Sequence, residues 1–374
     1  MDSDGLFAYL VGRPGGTGMS PLSLMASLES QPRSLEDLAN EYDVDRATVY
    51  RTATPAVEAH VLATSEGEYS LTGLGACLLY QYQQVCDEFD IDRELLATLT
   101  GSSHRETLMR RLRERPLRKA ELTHGEGMPS RATVHRRVSE FEERDWVRRN
   151  AETGSYTLTA TGRNVLDGFD TFQTAVARAH EYALFLAPLD DRIADIPLDG
   201  LANSRLIVES NLATGQTEAI LKDLVEEGPK DVCTFNASVS TRLADIYDPV
   251  IRSPAQVRIL LTERVLYALP TQGRYTDHVR RGLQSTNVSV RVVPDIESLP
   301  VNMGIHDNQT VVIGPPDAGK FIEIDGQLKT AAIVSSDLTL IAWAKTLWQT
   351  YDDRSISLTR QIIQSILDRI QLSS

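Results

Sequence analysis

Three stretches of this chain have the residue types and spacing to do chemistry. Ser130-Arg-Ala-Thr-Val-His-Arg-Arg137 sets cations at close intervals. An arginine can grip a guanine edge with two hydrogen bonds, and a row of cations can hold phosphate. Gly314-Pro-Pro-Asp-Ala-Gly-Lys320 has the GxxxxGK spacing of a loop that cradles nucleotide phosphates. The third stretch is Ile305-His-Asp-Asn-Gln-Thr-Val-Val-Ile313, with His306 near its start. The second reads poorly as a nucleotide site. Phe321 stands where Mg²⁺ needs a hydroxyl, Pro315 and Pro316 remove backbone donors, and the following run reads as a strand. A hairpin turn explains those residues better. Cys77, Cys86 and Cys233 lie far apart in apolar contexts without CxxC spacing, so neither a zinc site, a disulfide framework nor a cofactor is expected. The sequons at Asn236, Asn287 and Asn308 are chance matches for a chain that stays inside the cell.

The first stretch has elements around it that would position it. Val134, Val138 and Phe141 recur at i, i+4 and i+7 and form one buried stripe of a helix, leaving Arg131, Ala132, His135, Arg136 and Ser139 to project outward. Ser130 reads as the N-cap, with Thr133 beside it at the groove edge. Trp146-Val147 and Tyr156-Thr-Leu158 are β-rich runs separated by Thr153-Gly154-Ser155. A helix followed by a hairpin is the order of a winged helix. The plain alternative is that these arginines only solvate a surface helix.

The chain repeats the pattern. Asp45-Arg-Ala-Thr-Val-Tyr-Arg51 parallels Ser130–Arg136 at an offset of 85, and Tyr69-Ser-Leu-Thr-Gly-Leu-Gly75 parallels Tyr156–Gly162 at an offset of 87. Upstream, Leu24-Met25, Leu28, Pro32 and Leu38 match Leu108-Met109, Leu112, Pro116 and Leu122 at an offset of 84. The drift falls where loops belong, so a three-helix-plus-wing unit is duplicated in tandem. The copies differ in charge. Residues 104–150 carry 13 basic and 8 acidic side chains, a balance of +5, against 3 and 9, a balance of −6, in residues 20–75. The second copy is therefore expected to read DNA, whereas the first either packs on a partner or has lost most of its affinity. Pro55 falls inside the first copy's third helix, where a kink or an early end near Thr54 is expected.

Within the second copy, Arg131, His135 and Arg136 are expected to read bases, with Thr133 and Ser130 near the groove edge and Arg137 a further DNA contact. Arg118 and Lys119, at the start of a short second helix over Leu117–Thr123, are assigned to phosphates, and Arg148 and Arg149 on the first wing strand to phosphate or the minor groove. Residues 161–186 read as a long helix serving as linker and dimer surface, or only packing on its own domain.

From about Leu201 the pattern changes. Arg205-Leu-Ile-Val-Glu, Asp231-Val-Cys-Thr-Phe, Val257-Arg-Ile-Leu-Leu, Val288-Ser-Val-Arg-Val-Val, Thr310-Val-Val-Ile and Phe321-Ile-Glu-Ile are short β-branched runs, with helical stretches at 217–227 and 275–284. A mixed sheet covered by helices is expected. Residues 336–351 and 357–372 read as closing helices; the second is amphipathic and could pair two subunits or pack on its own domain. Asn236, Ser238, Glu263 and His306 fall at predicted strand ends, where α/β sheets bind ligands, and are the expected effector contacts.

The tandem Arg-Ala-Thr-Val-x-Arg and Tyr-x-Leu-Thr units, the α/β half and the closing Ser335-Ser-Asp-Leu-Thr-Leu-Ile-Ala-Trp-Ala-Lys-Thr-Leu-Trp-Gln-Thr-Tyr351 resemble archaeal winged-helix transcription regulators. Those regulators carry a phospholipase-D-like C-terminal domain and belong to the methanogenesis regulatory protein group, more distantly akin to TrmB-type sugar sensors. The resemblance covers most of residues 20–350. A phospholipase-D site would use His-x-Lys-x4-Asp; His306 is present, but Asn308 takes the lysine position and Ile313 the aspartate position. Phosphoryl transfer is thus not supported, and the resemblance implies a sensor or oligomerisation module.

The expectation is an α+β multidomain protein: a flexible 1–19, an acidic, degenerate winged helix at 20–90, a DNA-reading one with its linker helix at 91–187, an α/β effector or oligomerisation domain at 200–354 and an amphipathic helix at 355–374. No apolar run approaches 18 residues, and the acidic, Gly-rich start lacks a signal peptide, so a cytoplasmic protein without membrane contact is expected. The net charge of −14, with only 6 lysines among 38 basic residues, fits a halophilic cytoplasm, where screening confines phosphate attraction to contact range. The expected function is sequence-specific transcription regulation on double-stranded DNA, as a homodimer answering a small-molecule effector, and not enzymatic. A protein-interaction scaffold and a residual phosphodiesterase or nucleotide hydrolase are the competing readings.

Overall fold

The computed structural model describes residues 1–12, 19–210, 215–238, 241–268, 281–282, 284–296, 298–316, 322–324 and 327–358. The chain divides into two compact units, one of Met1–Leu71 with Leu78–His180, the other of Thr72–Cys77 with Glu181–Ser374.

The first unit opens on α1 (Ser3–Val11), capped by Asp2, whose carboxylate accepts from the Gly5 amide. Leu6, Phe7, Leu10 and Val11 are buried, and the Phe7 ring meets Phe169 edge-on at 5.0 Å. The expected flexible start is thus corrected for these residues, because four apolar side chains on one short helix repay its ordering; 13–18 lie outside the described residues. The first copy follows as α2 (Pro21–Ser27), β1 (Arg33–Ser34), α3 (Leu35–Tyr42) and α4 (Arg46–Glu58), then the hairpin β2 (Leu62–Ser65) and β3 (Glu68–Leu71). β1 pairs with β3, giving a sheet in the order β1-β3-β2. Ser34 and Asp37 form a capping box that starts α3. The early end expected near Thr54 is not found, since α4 runs on to Glu58. Pro55 lies in the last turn, where the lost donor removes one bond only, and Ala53 and Ala56 hold the helix by burial.

After α5 (Gly73–Phe89) and α6 (Arg93–Thr100) the second copy repeats the order as α7 (Ser103–Glu114), a 3-10 turn at Glu121–Thr123, α8 (Arg131–Glu143), the hairpin β4 (Val147–Arg149) and β5 (Tyr156–Leu158), and α9 (Ala160–Glu181). The expected second helix over Leu117–Thr123 shrinks to that single turn. Arg118 replaces the capping Ser34, although the Glu121 carboxylate still accepts the Arg118 amide at 2.7 Å. Gly125 and Gly127, at φ of 121° and 74°, then bar a longer helix. Leu122 stays buried as Leu38 is. Leu117 and Tyr156 exchange two backbone hydrogen bonds, at 3.1 and 2.8 Å, in the place that β1 takes in the first copy. Val134, Val138 and Phe141 of α8 are fully buried as their spacing predicts, and Phe141 stacks on Trp146 at 5.7 Å. At Gly162 a Cβ would lie 2.1 Å from the Trp146 carbonyl oxygen, so the foot of the wing meets the start of α9 backbone to backbone.

The second unit contains α10 (Ala183–Leu186), α11 (Leu198–Leu201), β6 (Arg205–Ser210), α12 (Gln216–Glu226), β7 (Asp231–Asn236), α13 (Thr241–Arg252), β8 (Gln256–Thr262), α14 (Glu263–Ala268) and β9 (Val288–Val293). β10 (Asn302–His306), β11 (Thr310–Gly314), β12 (Ile322–Ile324), β13 (Gln327–Ser335), α15 (Leu338–Asp352) and β14 (Ile356–Ser357) follow. Among the described residues they build a nine-stranded mixed sheet, β12-β13-β11-β10-β7-β8-β9-β14, with β6 also paired to β13. β7, β8 and β9 are parallel and the other pairs antiparallel. The six expected runs are strands; β10 and β13 were not expected. The start of the expected closing helix is corrected, because Ile356 and Ser357 pair with Val292 and Arg291 on β9. Residues 359–374, Lys320, Phe321 and most of 275–284 lie outside the described residues. No helix among the described residues is long and apolar enough to cross a membrane.

Candidate nucleic-acid interface

The geometry of α8 follows from its cap and its buried stripe. The Ser130 hydroxyl accepts from the Thr133 amide at 3.3 Å, and the stripe turns Arg131, His135 and Arg136 to solvent. α8 packs on β4 and on the 3-10 turn, so the exposed Arg148 and Arg149 of β4 and the exposed Arg118 belong to the same small unit. Arg118, Arg131, Arg136, Arg148 and Arg149 have no ion-pair partner within 4 Å among the described residues. Uncompensated cations on a helix and its wing are what phosphate contact and base reading require.

Two expected contacts are placed elsewhere. Arg137 is half-buried, and its Nη1 lies 2.8 Å from Glu140 Oε2, while Arg105 Nη2 holds the other oxygen at 2.8 Å. Burial pushes the Glu140 carboxyl up, but the bonds from Arg137 and Arg105 outweigh it and hold it below its usual range. Lys119 Nζ lies 3.9 Å from Glu142 Oε2 and 5.2 Å from the centre of the Tyr156 ring, with its side chain 18% exposed. Arg137 is thus engaged within α8 and its junction with α7, and Lys119 between α8 and the wing. Sequence reading missed Glu140 and Glu142 as their partners, although the i,i+3 spacing of Arg137 and Glu140 signals the first pair.

The first copy places the same side chains differently. Arg46 Nη2 is 2.6 Å from Glu36 Oε2. Arg51 folds back on its own helix, donating to the Ala47 carbonyl at 3.2 Å and the Thr48 hydroxyl at 3.1 Å. The cap is a carboxylate, and bonds from Thr48 hold Asp45 below its usual range, hence charged.

In the sheet unit, Asn236 and Ser238 line a cleft of about 190 Å³, but the four expected effector contacts do not converge. β7 and β8 are parallel, with Asn236 opposite Leu261, so Glu263 stands at the same sheet edge but outside the cleft. β10 runs antiparallel to β7 with His306 opposite Val232, which carries His306 to the other end of the sheet. There it is 4% exposed, its Nε2 lies 3.0 Å from the Tyr247 hydroxyl, and its Nδ1 is buried without a partner. Burial, partly opposed by the Asp307 charge, lowers its pKa to about 4, so it is neutral near pH 7. Asn308 sits in a left-handed turn (φ 57°) and Ile313 is fully buried.

No curated protein sequence matches the chain. Among solved structures, TrmBL2, an archaeal chromatin protein, is similar at 13% identity over 74% of this chain and 98% of its own, with a TM-score of 0.30. NucT from Helicobacter pylori is similar at 12% identity over 41% and 99%, with a TM-score of 0.33. Nuc from Salmonella typhimurium, a phospholipase D family member, is similar at 14% identity over 41% and 98%, with a TM-score of 0.30. These are distant likenesses. Family models match more directly: the HVO_A0261 N-terminal domain matches twice, over residues 20–94 and 93–181, once for each copy of the repeat. The middle domain of the methanogenesis regulatory protein FilR1 matches residues 218–354. Together these models match most of the length, so the chain carries two tandem domains of the HVO_A0261 N-terminal type followed by one similar to the middle domain of the methanogenesis regulatory protein FilR1.

Proposed function

We propose that this protein is a sequence-specific DNA-binding transcription regulator of two winged-helix units and a sheet domain, in which α8 reads the major groove. One observation carries the reading: the unpaired Arg131 and Arg136 flank His135 on the exposed face of a helix capped by a neutral hydroxyl. The first turn of α8 contains no acidic residue, and there the helix dipole and free amides attract phosphate. Arg148, Arg149 and Arg118 hold the backbone on either side. The protein works as a cytoplasmic homodimer, which sets half-sites about 34 Å apart per helical turn, and its sheet domain answers a small effector.

The sheet domain performs no phosphoryl transfer in this reading. A histidine nucleophile or base must reach its substrate, whereas His306 is enclosed and bonded to Tyr247. Asn308 and Ile313 offer neither the cation that would hold phosphate nor the acid that would orient a partner.

Selection of bound fragments from a random DNA pool in molar potassium chloride, followed by footprinting and light scattering, tests the proposal. It expects one recovered motif, footprinted as two half-sites under a dimer. Recovery without any shared sequence would reduce the protein to a non-specific binder, and no recovery at all would overturn the proposal.

A further inference from the structure

The two winged-helix units carry surfaces of opposite sign. Residues 1–75 hold 11 acidic and 4 basic side chains, a balance of −7, against the +5 of residues 104–150. That count includes Arg13, which lies outside the described residues. All 9 acids of residues 20–75 are exposed. Asp37, Asp43 and Asp45 stand around the junction of α3 and α4. Bonds from Ser34 and Thr48 hold the Asp37 and Asp45 carboxyls below their usual range, hence charged. The arginines of the same stretch are engaged already: Arg33 by Glu41, Arg46 by Glu36 and Arg51 by its own helix.

Beside that acidic rim, α4 exposes an aromatic ring. Tyr50 is 56% exposed and takes the position of His135 in α8, at the repeat offset of 85. On the same face the exposed Ala47 precedes it by one turn and Thr54 follows it by one. The Thr54 hydroxyl donates to the Tyr50 carbonyl at 2.8 Å, so it turns back on α4 as Arg51 does. An aromatic centre inside a charged rim has the composition of a protein–protein contact.

Charge decides the partner. A polyanion is repelled by this face, and so is a second acidic face. The exposed Arg118, Arg131, Arg136, Arg148 and Arg149 of the second copy, which have no ion-pair partner among the described residues, complement it. Every chain carries one face of each sign, so two chains can pair them reciprocally, the first copy of each on the second copy of the other. Such an exchange is two-fold, closes on itself and leaves no charged face over.

We propose that α4 of one chain docks, through Tyr50 and its acidic rim, on the α8–β4 head of a second copy of this chain. The first copy thereby acts as a decoy for the surface that would hold DNA. That competition rests on the regulator reading; the docking does not.

The test uses the full chain with a photoreactive benzophenone amino acid in place of Tyr50, mixed with isotopically heavy wild-type chain, irradiated and mapped by mass spectrometry. Cross-links are expected on residues 118–149 of the heavy chain. The triple variant Asp37→Asn, Asp43→Asn, Asp45→Asn removes three charges, yet asparagine caps a helix as aspartate does and suits the left-handed turn at Asp43, with its φ of 50°. With its melting temperature retained, its cross-link yield should fall about tenfold. Arg131→Gln with Arg136→Gln in the heavy chain should lower the yield likewise, and saturation with duplex DNA should suppress it. Absence of cross-links between chains would give this face to some other basic protein and overturn the proposal. Cross-links only to the sheet unit, a yield undiminished in either folded variant, or links to α8 persisting on DNA-saturated protein would overturn it equally. A chain that cross-links as expected but binds no DNA refutes the regulator, not the docking.

Discussion

α4 and α8 share a sequence pattern, a buried stripe and a place in the fold, yet the exposed arginines of α4 are engaged by neighbours, whereas Arg131 and Arg136 of α8 have no ion-pair partner among the described residues. The difference comes from neighbours more than from the helix itself. Arg46 and Arg131 correspond, but Glu36 neutralises the first while Ala120 stands at the matching position of the second copy. Both caps satisfy the same backbone donor, but Asp45 brings a negative charge to the helix N-terminus and Ser130 brings none. At the far end, Glu140 ties α8 to Arg105 of α7, while Pro55 occupies the equivalent place in α4. The first copy thus keeps its exposed arginines but sets an acid at the helix cap and another on the helix before it.

The largest effect that could break this comparison is loss of the presented arginines. Arg131→Ala should weaken operator binding by about 1–3 kcal/mol, a factor of roughly 5 to 150, measured by fluorescence anisotropy, while Arg46→Ala should leave it nearly unchanged. Equal losses would erase the distinction. Next comes the cap: Ser130→Asp preserves the N-cap bond, so the melting temperature should hold while affinity falls by about tenfold, since a carboxylate now faces phosphate. The reverse change, Asp45→Ser with Glu36→Ala, should raise affinity for non-specific DNA. Loss of stability instead of affinity in Ser130→Asp would mean that the cap acts through folding alone.

Smaller effects sharpen the comparison. Arg148→Ala should reduce the slope of log affinity against log salt by roughly 0.9, whereas Lys119→Ala should not, because its amine is engaged by Glu142 and Tyr156. Identical slopes for the two variants would contradict the placement of Lys119. The smallest effect belongs to the anchor. Glu140 has its folded pKa depressed, so its stabilisation is fully present above the unfolded carboxylate value, about 4.3, and is lost as pH falls through the folded pKa. Glu140→Gln should therefore cost roughly 1 kcal/mol near pH 7, and the gap from wild type in chemical denaturation should close in acid. A gap independent of pH would assign the loss to packing.

The helix–hairpin unit was legible because its signals are local: one stripe, one cap and one turn, stated twice. Elements that depend on distant partners were not. α1 is short and flanked by polar residues, and its ordering comes from Phe169 and Phe172, far along the chain. β10 contains Gly304 and β13 contains Ala331 and Ala332, residues of low strand preference that pairing on both sides holds in the sheet. The same holds for sites. The outward arginines of α8 could be read from spacing, but the cleft assembles Glu209, Glu218, Asn236 and Thr330 from four separate elements, and strand direction carries His306 to the other end of the sheet.

The paired backbone bonds between Leu117 and Tyr156 make the reading head a closed loop. The whole of α8 lies between two residues locked to each other, so the helix cannot leave its place by fraying from one end. Its opening is coupled to release of the wing, and the two amides should exchange with solvent deuterium together with the core of α8 rather than with the exposed hairpin tip. In the regulator proposed above, such a head would arrive at DNA already ordered, with little conformational entropy left to lose on docking.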